Sequence, residues 1–489
     1  MMFTLELEDG RVLTATDEQT EIIDFALANP TRNLMMRALA GSAKTTTLRF
    51  LCKYLPMQPI LSVAFNKRIA DEMGRVLPAH VAARTLNSVG HGAWSRAINR
   101  RLTVNKDKSY DFLKAYLDTL SRMKKVAQME VFADTLAAIR QAKIMGYIPK
   151  SLGKAGLVDE ETFFANVEDE VDRDTVNAVI TESIKAALQG VVDFDDQIYM
   201  STLFGGVFPR FPRLMVDEVQ DLSRINHAML ELLVSDWLGA VGDPWQSIYA
   251  FRGAVFKSME LLRDKFEMHE MKLTVSFRCP RAVVERAQKW VPEMQSAPNA
   301  AEGLVKGLEE WGIAHLNGGA AILCRNNAPL YKLAFKLLRA GKGVKVVGTD
   351  LGPNLVRALK KLGPESMTQT ELLDAIDKWE TAQLAKEKAP ETVSDKAECF
   401  RVFAGYGATL GEAAIYANNI FKADGPIQLL SGHKSKGLEW DVVFILDPWR
   451  SPSKWAVTDE EKAQENNLEY VMTTRSKREL FLVNAEDFG

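Results

Sequence analysis

Residues 34–48 read LMMRALAGSAKTTTL, an apolar run that leads into a loop of small residues ending in Ala-Lys-Thr. This order is typical of a phosphate-binding loop that joins a strand to the start of a helix. In such a loop, main-chain N–H groups and the helix N-terminus face the phosphates, Lys44 adds a positive charge and Thr45 offers a hydroxyl to Mg²⁺. The stretch therefore predicts a site for ATP or another nucleotide with Mg²⁺.

The match to this loop pattern is incomplete. The consensus G-x-x-x-x-G-K-[ST] has glycine where this chain has Ala38 and Ala43. Alanine suits these positions only if its φ angle is negative, so we expect a negative φ at both. By itself the loop fits a helix start of small residues without function equally well, and the rest of the chain decides between the two.

A second apolar run, RLMVDEVQDLS at 213–223, ends in two adjacent acids. In phosphoryl transfer, one acid at the carboxyl end of a strand holds the metal ion and another activates the nucleophile. Here Asp217 is expected to hold Mg²⁺ and Glu218 to activate the attacking water. A lone Asp-Glu pair is also common as an acidic turn after a buried strand. The acidic turn becomes unlikely because a third apolar run follows in the chain and also leads into a polar and aromatic loop. This run is VGDPWQSIYAFRGA at 241–254.

These blocks resemble the superfamily 1 helicases of the UvrD, Rep and PcrA group, and especially a compact branch that includes the F-box DNA helicases and phage and bacterial relatives. The resemblance rests on ordered blocks that extend along nearly the whole chain. Besides the three runs above and TATDEQTEII around Gln19, the matching blocks are AFNKRIADEM (64–73), TLNSVGHG (85–92), TVSFRCP (274–280), LLSGHKSKGLEW (429–440) and YVMTTRSK (470–477).

The resemblance implies the residues of an ATP site. It identifies as catalytic Lys44, Asp217, Glu218, Gln246, Arg278 and Arg475, the two arginines acting as arginine fingers. The implied nucleotide contacts are Gln19, Ala40, Gly41, Ser42, Ala43, Lys44, Thr45, Thr46, Phe277, Arg278, Gly437, Glu439 and Arg475. Mg²⁺ is assigned to Thr45 and Asp217.

The same resemblance implies a track of single-stranded DNA. The expected DNA contacts are Phe65, Asn66, Lys67, Thr85, Asn87, Tyr249, Phe251 and His433. Aromatic side chains that stack on bases ignore sequence, which suits a protein that steps along any strand. Asn87 stands where relatives often carry His, which weakens that contact, and for Tyr249 packing in the core is the favoured alternative.

The pattern of runs predicts an α/β fold with two parallel sheets, each interrupted by a helical insertion. The resemblance implies that these are two RecA-like motor domains of the P-loop NTPase class. The expected strands are 34–38, 60–65, 213–217 and 238–242 in the first motor, and 272–276, 320–325, 344–347, 427–431, 441–446 and 479–483 in the second. The expected divisions are 1–92 with 193–271, a helical insert at 93–192, 272–351 with 425–489, and a reduced helical insert at 352–424.

Composition limits the class of protein. The 489 residues carry 61 basic and 64 acidic side chains, a net charge of −3, so any DNA-binding surface must concentrate its basic groups locally. The four cysteines are dispersed without a partner at metal-ligand spacing, which disfavours disulfides and zinc sites. No apolar run is long enough to cross a membrane. We expect a cytoplasmic monomer in a bacterial or phage-infected cell, without membrane contact, with a possible replication or recombination protein as partner.

We therefore predict an ATP-dependent DNA helicase and translocase that moves 3′ to 5′ by resemblance. It would act on single-stranded DNA and tailed duplexes. The alternative is a DNA-stimulated ATPase that remodels or evicts protein–DNA complexes without processive unwinding. A catalytically silent interaction protein is improbable with the motif residues intact.

Two further stretches carry open alternatives. In FDDQIYM at 194–200, Asp195 and Asp196 could be mistaken for nuclease acids, but we assign them to structural support. The loop 447–459, DPWRSPSKWAVTD, carries Trp449 and Trp455, which either anchor the loop or support strand separation.

Overall fold

The computed structural model describes residues 2–7, 10–64, 67–167, 171–249, 253–316, 319–348, 351–385 and 390–489. The chain forms two compact units, Met1–Ala38 with Ala43–Leu273, and Leu39–Ser42 with Thr274–Gly489. Each unit contains a six-stranded sheet in which every neighbouring pair of strands is parallel. The predicted α/β class with two RecA-like domains is confirmed. Among the described residues, no helix combines the length and apolar character needed to cross a membrane.

The elements of the first unit alternate between strand and helix around its sheet. Its strands are β1 (Thr4–Glu6), β2 (Val12–Thr14), β3 (Leu34–Ala38), β4 (Ile60–Ala64), β5 (Val81–Thr85), β6 (Thr103–Val104), β7 (Val191–Val192), β8 (Arg213–Val216), β9 (Trp237–Gly242) and β10 (His269–Leu273). Its α-helices are α1 (Asp17–Ala28), α2 (Lys44–Tyr54), α3 (Lys67–Val76), α4 (Leu86–Ala97), α5 (Lys108–Thr119), α6 (Arg122–Glu130), α7 (Phe132–Met145), α8 (Glu160–Phe164), α9 (Arg173–Leu188), α10 (Phe194–Leu203), α11 (Arg224–Leu233) and α12 (Ser258–Lys265).

The second unit repeats the architecture. Its strands are β11 (Val275–Ser276), β12 (Gln295–Ser296), β13 (Leu304–Gly307), β14 (Ala321–Cys324), β15 (Val344–Val346), β16 (Ile427–Ser431), β17 (Trp440–Leu446) and β18 (Ser476–Val483). Its α-helices are α13 (Arg281–Ala287), α14 (Ala328–Arg339), α15 (Leu351–Lys360), α16 (Gln369–Leu384), α17 (Pro390–Ala404), α18 (Leu410–Lys422), α19 (Gly432–Ser435) and α20 (Asp459–Thr473).

The sheet of the first unit has the order β10-β3-β9-β8-β4-β5. Its inner strands are apolar and buried along their length, for example β4 and β9, because helices cover both faces of a parallel sheet. The four strands predicted for this motor are confirmed to within one or two residues at their ends. Because β3, β9 and β8 are neighbours and parallel, the loops that follow them leave the sheet at the same edge.

The prediction that a strand at 272–276 opens the second motor is wrong. Residues His269–Leu273 form β10, which pairs in parallel with β3 and completes the first sheet. Only Val275 and Ser276 continue, in a short pairing with β12 outside either large sheet. A short apolar run shows that a strand forms but not which sheet it joins, since the pairing is set by residues far away in the sequence.

The sheet of the second unit has the order β13-β18-β17-β14-β16-β15. The strands predicted near 320–325, 344–347, 427–431, 441–446 and 479–483 are confirmed, and β13 at its edge was not predicted. The region 352–424 is helical, and apolar side chains of α15 to α18 share one core with the sheet.

A buried group of four charges stabilises the helical region of the first unit. The Lys108 ammonium lies 2.6 Å from Asp196, and the Lys143 ammonium lies 2.5 Å from Asp193 and 2.8 Å from Asp196. Asp193 and Asp196 also cap the N-terminus of α10 reciprocally. Asp195 is half-buried and lies 3.3 Å from Arg140. The Asp196 carboxylate thus forms buried ion pairs with Lys108 and Lys143, which is consistent with the structural role assigned to it.

Because these charges are buried, removing one of them should be costly. Lys108→Met leaves Asp196 with one cation fewer, and we expect it to lower the free energy of unfolding by about 3 kcal/mol. Urea unfolding followed by circular dichroism measures this change. The control is Lys125→Met, which removes an exposed pair with Asp118 in the same helical region and should leave the transition in place. Equal shifts in the two variants would contradict the account.

Candidate active site

The centre of the site lies at the carboxyl edge of the first sheet, where the loops after β3, β8 and β9 meet. Helix α2 begins at Lys44, directly after the loop that leaves β3. The Lys44 ammonium lies 3.2 Å from one Glu218 oxygen and 3.4 Å from the other. Burial alone would lower the pKa of Lys44, but the carboxylates of Glu218, Asp217 and Asp243 outweigh it and raise that pKa. The predicted phosphate-binding lysine therefore faces three acids.

The backbone holds the two predicted acids in different ways. The Asp217 N–H donates to the Val63 carbonyl on the neighbouring β4, and the Asp217 carboxylate accepts the Glu218 N–H at 2.8 Å. Glu218 has a φ of 54°, a left-handed conformation that is costly for a side chain of this size. Burial, and then repulsion by Glu218, raise the pKa of Asp217 to about 7 despite Lys44.

A third acid, Asp243, was not singled out in the sequence. It directly follows β9 and is fully buried, and its carboxylate accepts from the Gln246 amide at 2.6 Å and from the Trp245 N–H at 3.1 Å. Burial raises its pKa, although Lys44 acts in the opposite direction. The signal was present, because Asp243 follows its strand as Asp217 follows β8. The predicted Gln246 is fixed through this acid.

The expectation of a negative φ at Ala43 is wrong. Ala43 has a φ of 61° and a ψ of 40°, the left-handed conformation that glycine adopts at little cost. Ala43 nevertheless ends the loop as the consensus glycine would, and its carbonyl accepts the Thr47 N–H. The loop thus has the shape of a phosphate-binding loop, at a cost of about 1–2 kcal/mol of backbone strain.

The remaining predicted residues of this loop differ in exposure. Ala40 and Ser42 are buried, Gly41 has a φ of 75°, Thr45 is exposed and Thr46 is half-buried. The exposed Thr45 hydroxyl and the Asp217 carboxylate are oxygen donors, the type that Mg²⁺ prefers. Among the residues with described positions, no group of three or more His, Cys, Asp or Glu side chains is arranged to hold a metal ion.

Gln19, predicted to read adenine, is buried at the start of α1. Its side-chain oxygen accepts the Thr16 N–H within a capping box, and its amide donates to the Thr47 hydroxyl at 2.9 Å. Since Thr47 belongs to α2, Gln19 connects α1 to the helix that follows the phosphate loop.

The second unit holds the other predicted nucleotide residues. The Arg278 guanidinium donates to the Glu439 carboxylate at 2.6 Å, and Phe277 is exposed. Arg475 is buried and donates to the carbonyls of Val471 and Leu438. Gly437, two residues before Glu439, is exposed and has a φ of 80°.

The predicted DNA contacts are partly described. Phe65, Asn66 and Phe251 lie outside the described residues. Of the others, Lys67 is exposed at the start of α3, the Thr85 hydroxyl caps α4 by accepting the Ser88 N–H, the Asn87 amide donates to the Phe194 carbonyl at 2.7 Å, and His433 is half-buried on α19.

A cavity of about 270 Å³ in the first unit connects two sets of predicted residues. Its lining includes Asn87 and Tyr249, both predicted DNA contacts, together with Asp217. Arg140 and Asp195, which pair with each other, also line the cavity, as does Lys143, whose charge is offset by Asp193 and Asp196. Tyr249 is half-buried and lines this cavity, so it lies between the two expectations of a core residue and an exposed platform.

Comparisons with known proteins agree with this geometry. A family model described as the UvrD/REP helicase N-terminal domain matches residues 16–267, and one described as the UvrD-like helicase C-terminal domain matches residues 407–487. F-box DNA helicase 1 of Gallus gallus is 24% identical over 96% of this chain and 49% of that protein. F-box DNA helicase protein 1 of Schizosaccharomyces pombe is 23% identical over 96% of this chain and 57% of that protein. DNA helicase II of Escherichia coli is 24% identical over 68% of this chain and 51% of that protein. The chain thus spans about half the length of these relatives.

The raised pKa of Asp217 predicts a pH-dependent stability. A carboxyl whose pKa is higher in the folded state than in the unfolded state binds its proton more tightly when folded, so stability is lost as the pH rises from the unfolded value of 3.8 through about 7. Asp217→Asn removes this loss. Between about pH 5 and about pH 8, we expect the variant to gain about 2–3 kcal/mol of unfolding free energy relative to wild type.

Urea unfolding at the two pH values, without nucleotide or Mg²⁺, measures the difference. Asp236→Asn, which neutralises an exposed acid of the same unit, is the control and should show no such gain. A constant difference between Asp217→Asn and wild type at both pH values would show that Asp217 is ionised freely in the folded protein.

Proposed function

Because the chain belongs to the UvrD/REP helicase family, we propose that it is an ATP-dependent DNA helicase and translocase that moves 3′ to 5′ on single-stranded DNA. The observation that carries the proposal is the position of Lys44, at the start of α2 and opposite three acids at the carboxyl edge of a parallel sheet. A lysine at this place is suited to phosphate, and acids at this place are suited to Mg²⁺ and water.

In this proposal the chain's own residues divide the reaction. Lys44 exchanges its ion pair with Glu218 for the nucleotide phosphates, which leaves the Glu218 carboxylate to accept a proton from the attacking water. Gln246, fixed by Asp243, senses the terminal phosphate. By resemblance, Arg278 and Arg475 offset the charge that develops during transfer.

The donor chemistry fits a divalent cation. Thr45 and Asp217 would hold Mg²⁺ through oxygen atoms. A cation there would favour the charged form of Asp217, whose pKa is raised by burial and then by repulsion from Glu218. When bound, Mg²⁺ supplies neutralisation of phosphate charge. Too few protein ligands are grouped in the described residues to hold the ion alone, so nucleotide oxygens and water would complete its shell.

The proposed substrate is single-stranded DNA, alone or as the tail of a duplex. Support comes from the cavity that Asn87 and Tyr249, assigned to DNA by resemblance, line together with Asp217. A DNA strand that displaces Asn87 or Tyr249 would therefore act on a residue of the ATP site, which is the coupling that a translocase needs.

A strand-displacement assay tests the proposal. We expect ATP-dependent unwinding of a 3′-tailed duplex, and little of a 5′-tailed or blunt one. Lys44→Ala and Glu218→Gln should both abolish unwinding, because one loses phosphate binding and the other loses the base. Glu218→Gln should still bind ATP. Hydrolysis without unwinding would favour the remodelling ATPase, and preference for a 5′ tail would contradict the polarity.

The loop 447–459 offers a candidate for the strand-separating element. Trp449 is 67% exposed, so it does not anchor the loop, whereas Trp455 is half-buried. The loop is fixed instead by Asp447, which accepts the Ala485 N–H at 2.7 Å, and by Arg450, which pairs with Glu398. We propose that Trp449, held on this rigid loop, stacks on the end base pair of the duplex.

Trp449→Ala should therefore reduce unwinding of the tailed duplex far more than ATP hydrolysis stimulated by single-stranded DNA. Both rates are measured on the same preparation. Tyr416→Ala removes another exposed aromatic side chain of the second unit, on α18, and is the control that should change neither rate. A proportional loss of both activities in Trp449→Ala, or no loss, would remove Trp449 from this role.

A further inference from the structure

Several hydrogen bonds join the turn that follows β8 to the segment that follows β9. The turn Val219–Asp221 is a 3₁₀ helix directly after Glu218. Its Val219 carbonyl accepts the Ser258 hydroxyl at 2.6 Å. The Gln220 carbonyl accepts the Ser247 hydroxyl at 3.3 Å. The two segments are thus fixed to each other at several points within the first unit.

The Gln220 side chain forms a bridge within this connection. Its oxygen accepts the Asp243 N–H at 3.1 Å, and its amide nitrogen donates to the Glu218 carboxylate at 2.5 Å. A backbone N–H can only donate, so the Gln220 oxygen must face Asp243 and the NH₂ group must face Glu218. The side chain is 2% exposed, which leaves this amide little freedom to turn.

Glycine at position 242 allows the bridge to form. A Cβ atom on Gly242 would lie 2.5 Å from the Gln220 side-chain oxygen, and 3.0 Å from Met259 Sδ. The first distance is too short for a real contact. The Gln220 side chain can therefore occupy this position only because residue 242, the last of β9, has no Cβ atom.

The bridge also bears on the Glu218 conformation. Glu218 is strained at a φ of 54°, and its carboxylate lies between the Lys44 ammonium and the Gln220 amide. If the Lys44 ammonium leaves Glu218 to bind a nucleotide phosphate, the hydrogen bond from the Gln220 amide still orients the Glu218 carboxylate. That hydrogen bond originates from a side chain whose other end is fixed by the main chain of Asp243.

We propose that Gln220 is a positioning residue that ties the direction of the Glu218 carboxylate to the main chain at Asp243, and so transmits the state of the loop after β9 to ATP hydrolysis. Asp243 also fixes Gln246, and the same loop continues to Tyr249. A DNA strand that shifts this loop therefore shifts Glu218 through Gln220. The inference rests on the proposed function, in which Glu218 is the base and DNA stimulates hydrolysis.

The test compares Gln220→Met with wild type. Met has a similar length but neither donates nor accepts as an amide does, so both hydrogen bonds are lost. We expect the DNA-stimulated kcat for ATP hydrolysis to fall about 10- to 100-fold, part of what a general base contributes. KM for ATP and Kd for single-stranded DNA should stay within about twofold, because Gln220 acts through Glu218. The ratio of kcat with and without DNA should also fall.

Two further variants separate positioning from general support. Ser258→Ala removes a buried hydrogen bond between the same two segments without touching Glu218, and should retain kcat and DNA stimulation. Gly242→Ala retains the glutamine at position 220, but the added Cβ atom displaces the side-chain oxygen of Gln220. We expect this variant to have a lower kcat than wild type, as Gln220→Met does.

The outcomes distinguish this inference from the function on which it rests. A wild-type protein without DNA-stimulated hydrolysis would overturn the proposed function itself. If wild type is stimulated and Gln220→Met matches it, or if Ser258→Ala loses as much kcat as Gln220→Met, only the positioning role is overturned. Should Gln220→Met fail to fold, an undiminished kcat in Gly242→Ala overturns that role.

Discussion

The interaction on which the site depends is the approach of Lys44 to Glu218 and to the buried Asp217 and Asp243 at one edge of a parallel sheet. Like charges this close repel, and burial removes the water that would screen them. Burial raises the pKa of both Asp217 and Asp243, and the Lys44 ammonium acts in the opposite direction on each. In the proposed function, the same lysine and acids are suited to nucleotide phosphates and a cation. A cluster of acids at this place lowers the stability of the fold but suits the binding of phosphate and a cation.

The sheet makes this cluster possible because its central strands are buried on both faces and parallel. β3, β9 and β8 are successive neighbours, each about 5 Å from the next, so three loops that are far apart in the sequence start side by side at one edge of the sheet. The loop after β9 then serves two tasks. It carries Asp243 and Gln246 toward Lys44, and it continues to Tyr249 at the cavity. In the proposed function, contact with DNA and ATP hydrolysis would share this short segment of the first unit, which Gln220 connects to Glu218.

The sequence predicted what single runs of residues determine, and it failed where distant residues meet. Apolar runs such as 60–65 and 427–431 identify buried strands directly, because both faces of each strand lie in a core. The run 272–276 was assigned to the wrong sheet, since its pairing with β3 depends on residues more than two hundred positions away. Ala43 adopts a conformation that its side chain disfavours, because the loop and helix around it fix the backbone. Asp243 was missed although it directly follows an apolar run, as Asp217 does. Gln220 was missed because its importance appears only when the loops after β8 and β9 are brought together.

In the proposed function, ATP hydrolysis moves the protein along single-stranded DNA. The most direct test is the steady-state rate of ATP hydrolysis at saturating DNA, measured against the length of the single strand. A translocating motor spends more time moving and less time rebinding as the strand lengthens, so the account predicts a rate that rises with length to a plateau. A rate that is the same on a strand that just fills the binding site as on a long one, or no stimulation by DNA at all, would contradict it.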